Sequence, residues 1–231
     1  VVTMSLCFGA YFAAIVVIPQ WLQISLGYTA RDAGYVTAFT AMTAIIAAPV
    51  AGRALGKVDV RLMISGAVIW MGLVALWRSG WTSTADFWTL ALPQIVQGFA
   101  MPFFMIPLTT LTLGSVRPEK TASAAGMQNF LRTLAVAVST SLVLTGWGNG
   151  QRVARNEMVS TLDPNVASRL EGTGLSPEQV PQMIANLVDQ QATVLAMNHV
   201  FLIAALILFL AGALVWLAPP PTGKVDTSAA H

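Results

Sequence analysis

Three groups of residues in this sequence could do chemistry in an apolar setting. In Gln128-Asn129-Phe130-Leu131-Arg132 a guanidinium sits inside a long apolar run, with Gln128 and Asn129 at i−4 and i−3 from it. A helix would therefore carry all three polar heads on one face. A cation placed there can bind an anionic group of a substrate or pair with a carboxylate from elsewhere in a larger protein. The structural alternative is a guanidinium satisfied by backbone carbonyls or snorkelling towards an interface. Gln94 and Gln97, spaced i and i+3, begin a second stripe that Met101 and Met105 continue at one-turn steps, while Pro93, Pro102 and Pro107 interrupt the same run. Each proline removes a backbone donor and bends a helix, which suits a substrate-facing or moving element; prolines are also simply more frequent in membrane helices. The third group is apolar: Tyr11, Phe12, Phe103, Phe104 and Met105 offer aromatic and thioether surface that adapts to varied ligands.

What is missing restricts the chemistry as much. All ten acids fall in loops or at helix ends, namely Asp32, Asp59, Asp86, Glu119, Glu157, Asp163, Glu171, Glu178, Asp189 and Asp226. No carboxylate is expected at mid-membrane, so any proton-binding acid should belong to a part of the protein outside this chain. One cysteine, Cys7, and two distant histidines cannot build a metal site. No nucleophile and base are paired, so neither an enzyme nor a cofactor is expected. The twelve basic residues are scattered singly, which argues against a nucleic-acid partner.

These residues are carried by elements made for lipid. Charged residues are 10% of the 231, against about 25% in ordinary soluble domains, and 55% are hydrophobic; the mean hydropathy is +0.68. Apolar runs near 1–25, 32–54, 61–78, 86–114, 122–146 and 195–218 each approach the roughly 20 residues that cross a bilayer as a helix. The fold class is therefore an all-α polytopic membrane protein with six transmembrane helices. Arg53, Lys57, Arg61, Arg117, Lys120 and Lys224 fall on one side of that arrangement, and only Arg31 and Arg78 in the short loops of the other. The excess of basic residues places Val1 and the tail, 219–231, in the cytoplasm. Residues 147–194 then form a periplasmic helical segment, with breaks at Asn165 and Gly172-Thr173-Gly174 and a helix start capped by Ser176 ahead of Pro177, Glu178 and Gln179. Such a segment can be a lid on the helix ends or a docking surface. Val1 follows no initiator methionine or signal-like stretch, which leads us to expect a piece of a longer chain.

The loop Gly52-Arg53-Ala54-Leu55-Gly56-Lys57-Val58-Asp59-Val60-Arg61 reads as a solvated turn in which Asp59 caps the next helix. Arg53, Lys57, Asp59 and Arg61 would equally suit a gating latch with different salt bridges in two states. Here the sequence resembles the major facilitator superfamily, whose hallmark cytoplasmic loop joins paired helices through glycines, an acid and basic residues. Ile18-Pro19-Gln20-Trp21-Leu22-Gln23, Leu26-Gly27-Tyr28-Thr29-Ala30, Ala33-Gly34 and Pro49-Val50-Ala51-Gly52-Arg53 look like the ninth and tenth spans of the fourteen-span drug:proton antiporters, the EmrB/QacA-like group. Ala122 to Arg132 resembles the thirteenth. Gln190-Gln191 and Asn198-His199-Val200-Phe201 look most like the EmrB-type branch.

The resemblance implies the C-terminal six-helix bundle of an alternating-access exporter, multi-pass in the bacterial inner membrane. It implies export of hydrophobic or amphipathic drugs coupled to protons through the missing N-terminal half, with a periplasmic adaptor (membrane fusion protein) and an outer-membrane channel as partners. A facilitator exporting a siderophore, fatty acid or metabolite is the alternative. Gln94, Gln97, Gln128, Asn129 and Arg132 are the expected polar substrate contacts, with Tyr11, Phe12, Phe103, Phe104 and Met105 as the apolar ones.

Overall fold

A computed structural model describes residues 2–114, 120–163 and 179–217. The expected breaks at Asn165 and Gly172-Thr173-Gly174, the Ser176 cap and the tail with Lys224 lie outside these residues. Among the described residues six helices follow one another: α1 Val2–Ser25, α2 Ala30–Ala54, α3 Val60–Arg78, α4 Phe87–Gly114, α5 Thr121–Thr161 and α6 Gln179–Leu214, closed by a 3₁₀ turn, Val215–Leu217. The described residues hold no strand beyond an isolated bridge between Leu55 and Val58.

Local chemistry fixes several helix starts. Thr29 caps α2 by accepting from the Asp32 amide at 3.2 Å, and Asp59 caps α3 by accepting from the Arg61 amide at 2.8 Å. Asp86 caps α4 through the Thr89 amide at 3.2 Å. Hydrogen bonds from the Thr89 side chain and amide hold the Asp86 carboxyl below the usual carboxylate range, whereas burial, followed by the nearby Asp86 and Asp32, pushes the Tyr28 phenol up.

By length and composition α2, α3, α4, α5 and α6 can each cross a bilayer, and α1 contributes a further apolar stretch at Ile15–Ser25. The bundle is inside-out by soluble standards: Ile45, Leu142 and Leu206 are 74%, 68% and 65% exposed, as lipid-facing residues are where the surrounding solvent is hydrocarbon. The chain is thus an all-α membrane bundle, as its composition and apolar runs predict.

The helices close into a ring in the order α1, α2, α4, α3, α6, α5, with α1 also reaching α6 across the middle. Exchanging α1–α3 with α4–α6 carries α2 against α4 onto α5 against α1, and α3 against α4 onto α6 against α1, but the pairing of α5 with α6 has no counterpart between α2 and α3. Matching crossings use the same device. A Cβ on Gly98 of α4 would run into the Thr43 hydroxyl and the Thr40 carbonyl of α2, and one on Gly9 of α1 into the Ser139 hydroxyl of α5. A glycine against a small hydroxyl residue lets two backbones approach where lipid supplies no hydrophobic drive.

Symmetry fails at one end. α5 has 41 residues and α6 has 36, and at 1.5 Å per residue each exceeds the roughly 30 Å of hydrocarbon. Their excess pairs as a helical hairpin through Arg155 and Asp189 at 2.6 Å and Gln151 to Thr193 at 2.8 Å. The hairpin leans on the bundle's end, where Gln190 donates to the Ser25 carbonyl, Gln191 to the Ser83 hydroxyl and Asn198 to the Trp81 carbonyl. Trp81 anchors this end, stacked on Trp21 at 5.4 Å and edge-on to Phe201 at 5.4 Å.

Candidate functional site

The α4 stripe is buried inside its own bundle. Gln94 and Gln97 are 3% and 5% exposed. The Gln94 side-chain oxygen accepts from Arg78 Nη2 at 2.8 Å and from the Thr40 hydroxyl at 3.0 Å. A guanidinium only donates, so the two bonds fix the amide's orientation. Arg78 Nη2 also donates to the Pro93 carbonyl at 3.4 Å, and the guanidinium lies 5.9 Å from the Trp81 ring centroid. One turn back, Pro93 leaves the Thr89 carbonyl without its helix donor, and Trp81 Nε1 donates to it at 3.2 Å. The α3–α4 loop thus mends the proline break in α4. Arg78 Nε, Gln94 Nε2 and Gln97 Oε1 are buried without a partner among the described residues.

Arg78 corrects the sequence reading. Counted there with a short loop, it is in fact the last residue of α3 and 2% exposed. The reason is periodicity: Ile64, Val68, Met71, Val74, Ala75 and Arg78 follow one helical stripe, and all are buried. The apolar run hides a cation at its end because helical phase, not residue type, decides which way a side chain points. Conversely Arg132, read as the one charge inside a span, is exposed in this bundle. It donates to Asn129 Oδ1 at 2.7 Å and stands 6.0 Å from the Phe8 ring centroid. Gln128 is half-buried and takes no part in that pair.

Most of the aromatic candidates meet around Phe8. Phe12 stacks on it at 6.0 Å, Phe104 meets it edge-on at 5.4 Å, and Tyr11 meets Phe12 edge-on at 5.2 Å. The Tyr11 hydroxyl donates to Met101 Sδ at 3.2 Å, which ties this cluster to the α4 stripe. Met105 packs half-buried against the same core. Phe103 packs against this core too, and also lines an apolar groove of about 440 Å³ between α3 and α4 with Trp70 and Phe99. Phe8, Thr40, Arg78 and Trp81 are the participants that sequence reasoning passed over; the phase of the α3 stripe could have found Arg78.

Of the loop residues, Arg53, Lys57 and Asp59 are exposed and Arg61 is half-buried, with its Nε and Nη2 unpartnered. In this conformation no ion pair joins them among the described residues. The described residues likewise hold no cluster of three or more metal-ligating side chains.

The family model described as Major Facilitator Superfamily matches residues 1–148. The multidrug export protein EmrB of Escherichia coli K12 is 37% identical over 226 residues, 95% of this chain and 44% of that protein. The probable multidrug resistance protein EmrY of the same strain is 34% identical over 228 residues, 96% of this chain and 44% of its own length. The fatty acid resistance protein FarB of Neisseria gonorrhoeae is 30% identical over 223 residues, again 44% of that protein. The chain therefore spans under half the length of these curated relatives. With six apolar helices in a ring, a family match that runs from α1 into α5 and similarity to multidrug exporters along nearly its whole length, this chain belongs to the Major Facilitator Superfamily of membrane transport proteins.

Proposed function

We propose that this chain is the C-terminal half of a proton-coupled multidrug efflux transporter that moves hydrophobic or amphipathic compounds out across the bacterial inner membrane by alternating access. The observation that carries the reading is Arg132. A guanidinium just over a quarter of the way along α5, exposed on the isolated bundle and held among the described residues by Asn129 and a ring face, is costly against lipid. It suits a wet cavity closed by the rest of a longer protein. Asn129 and Arg132 would meet substrate or a carboxylate from the other half, with Gln128 and Phe12 beside them. Tyr11, Phe104 and Met105 would form the apolar wall behind.

Gln94 and Gln97 take a different place in this scheme. Being buried, they would act when α4 moves about its prolines, with the unpartnered Gln94 Nε2 and Gln97 Oε1 as the atoms a ligand or water could satisfy. Phe103, in the α3–α4 groove, would contribute on the far side of α4. Arg53, Lys57, Asp59 and Arg61 would form the gating loop through ion pairs that appear in another state. The proton-binding acids would lie in the half outside this chain, and the α5–α6 hairpin would face a periplasmic adaptor leading to an outer-membrane channel.

In the full-length protein, Arg132→Ala should cut drug efflux about tenfold, the effect of losing about 1.4 kcal/mol of differential binding, at unchanged membrane expression. Unaltered efflux would remove Arg132 from the site. A narrower substrate is the second reading, favoured by the fatty acid resistance relative; efflux assays of dodecanoate beside a drug panel separate the two.

A further inference from the structure

A second cavity lies away from the stripes just described, between the end of α1 and the α5–α6 hairpin, with a volume of about 680 Å³. That is within the usual range for small-molecule pockets. Ser25, the last residue of α1, lies against it; it is 7% exposed, and its hydroxyl is buried with no partner.

The lining has two characters, both set by the phase of α6. Gln182, Asn186 and Gln190 recur every four residues and present amides, while Met183 and Leu187 run beside them as an apolar stripe that Ile24 of α1 extends. Met183, Leu187 and Ile24 are 43%, 48% and 62% exposed, considerable apolar surface for one site. Gln190 spends its amide nitrogen on the Ser25 carbonyl at 3.3 Å. Gln151, across the cavity on α5, spends its own on Thr193 at 2.8 Å. Their amide oxygens are thus left as acceptors, and Gln182 and Asn186 make no side-chain bond to the described residues. Asp189, the acid of the lining, is already paired with Arg155 at 2.6 Å, so the described residues of the lining offer hydrogen bonds without a free charge.

We infer that this cavity binds an uncharged amphipathic small molecule, one with hydroxyl or amide groups along one side and an apolar body along the other. The amides of α6 take the polar side, and Ile24, Met183 and Leu187 take the apolar side. A strongly charged ligand would find no unpaired counter-ion among the described residues of the lining. The site's place on an export route rests on the transporter reading; its binding chemistry does not.

The test uses a cysteine-free version of the full-length protein in membrane vesicles, with chloramphenicol, a neutral amide-alcohol, as the probe. Asn186→Cys reports on the cavity, and Glu157→Cys on the exposed face of the same hairpin. Chloramphenicol should slow labelling of Asn186→Cys by a water-soluble maleimide about tenfold at roughly ten times its Kd, and leave Glu157→Cys unchanged. No slowing, or equal slowing at both positions, would overturn the inference. So would an Asn186→Cys that is unreactive before any probe is added, since another part of the protein would then fill the cavity. Chloramphenicol efflux measured on the same vesicles separates the two ideas: export without protection defeats the site and leaves the transporter reading, and protection without export does the reverse.

Discussion

α4 and α5 each carry a polar stripe at membrane depth, and each stripe involves an arginine, but the two are treated in opposite ways. At α4 the guanidinium arrives from α3, is 2% exposed, and is held by Gln94 and the Pro93 carbonyl under the face of Trp81. At α5 the guanidinium belongs to the helix itself, is exposed, and has one amide and one ring face for company. A buried cation needs its partners at once, because desolvation is paid inside the bundle; an exposed one can wait for partners from outside it. The difference teaches that a polar residue in a membrane helix is architectural when its own bundle satisfies it and a site candidate when it does not.

The sharpest way to break this comparison is to take the acceptor from Arg78. Gln94→Leu leaves a buried guanidinium with the long bond to the Pro93 carbonyl in place of its short one and should cost the full-length protein about 3 kcal/mol, read as a lowered thermal unfolding midpoint in nanodiscs. Arg78→Leu together with Gln94→Leu should cost less than the two single changes summed, because the stranded charge is gone. An unchanged midpoint for Gln94→Leu would end the architectural reading.

Next in size is the crossing of α2 and α4. Gly98→Ala places a methyl against the Thr43 hydroxyl and the Thr40 carbonyl and should destabilise by about 2 kcal/mol. Gly126→Ala on α5, where nothing lies within 4 Å, should be neutral or slightly stabilising by helix propensity. Equal effects in the two would mean that α4 is packed no more tightly than α5.

Smaller effects are expected at the hairpin. Arg155 and Asp189 have side chains 51% and 48% exposed, and Arg155→Ala should cost only about 0.5 kcal/mol, less at high salt. The smallest expected effect concerns Asp86, fully exposed at the start of α4. Its carboxyl is held low by Thr89, so its contribution is present above the ordinary carboxylate range and is lost as pH falls through the depressed value. Thermal midpoints of the Asp86→Asn protein should therefore track those of the parent at low pH and fall below them above it.

The sequence made one side of the comparison more legible than the other. Apolar runs gave the helices, because hydrocarbon admits few alternatives, and the polar cluster on α5 was visible as Asn129 and Arg132 within such a run. Gln94 and Gln97 were equally visible, but spacing alone cannot say whether a stripe faces its own bundle or a missing one. Arg78 was misplaced because Trp77-Arg78-Ser79-Gly80 looks like the end of a run, and only the phase set by Met71, Val74 and Ala75 reveals its direction. Nor could spacing show that α5 runs from its apolar residues through 147–161 without a break.

The comparison is tested most directly by cysteine accessibility at Asn129 and Gln97 in the cysteine-free full-length protein in native membranes. We expect Asn129→Cys to react readily with a water-soluble maleimide and to be protected by an exported drug, while Gln97→Cys stays unreactive in the resting state. A reactive, drug-protected Gln97→Cys beside a silent Asn129→Cys would contradict the account, placing the open cavity at α4 and the architectural arginine at α5.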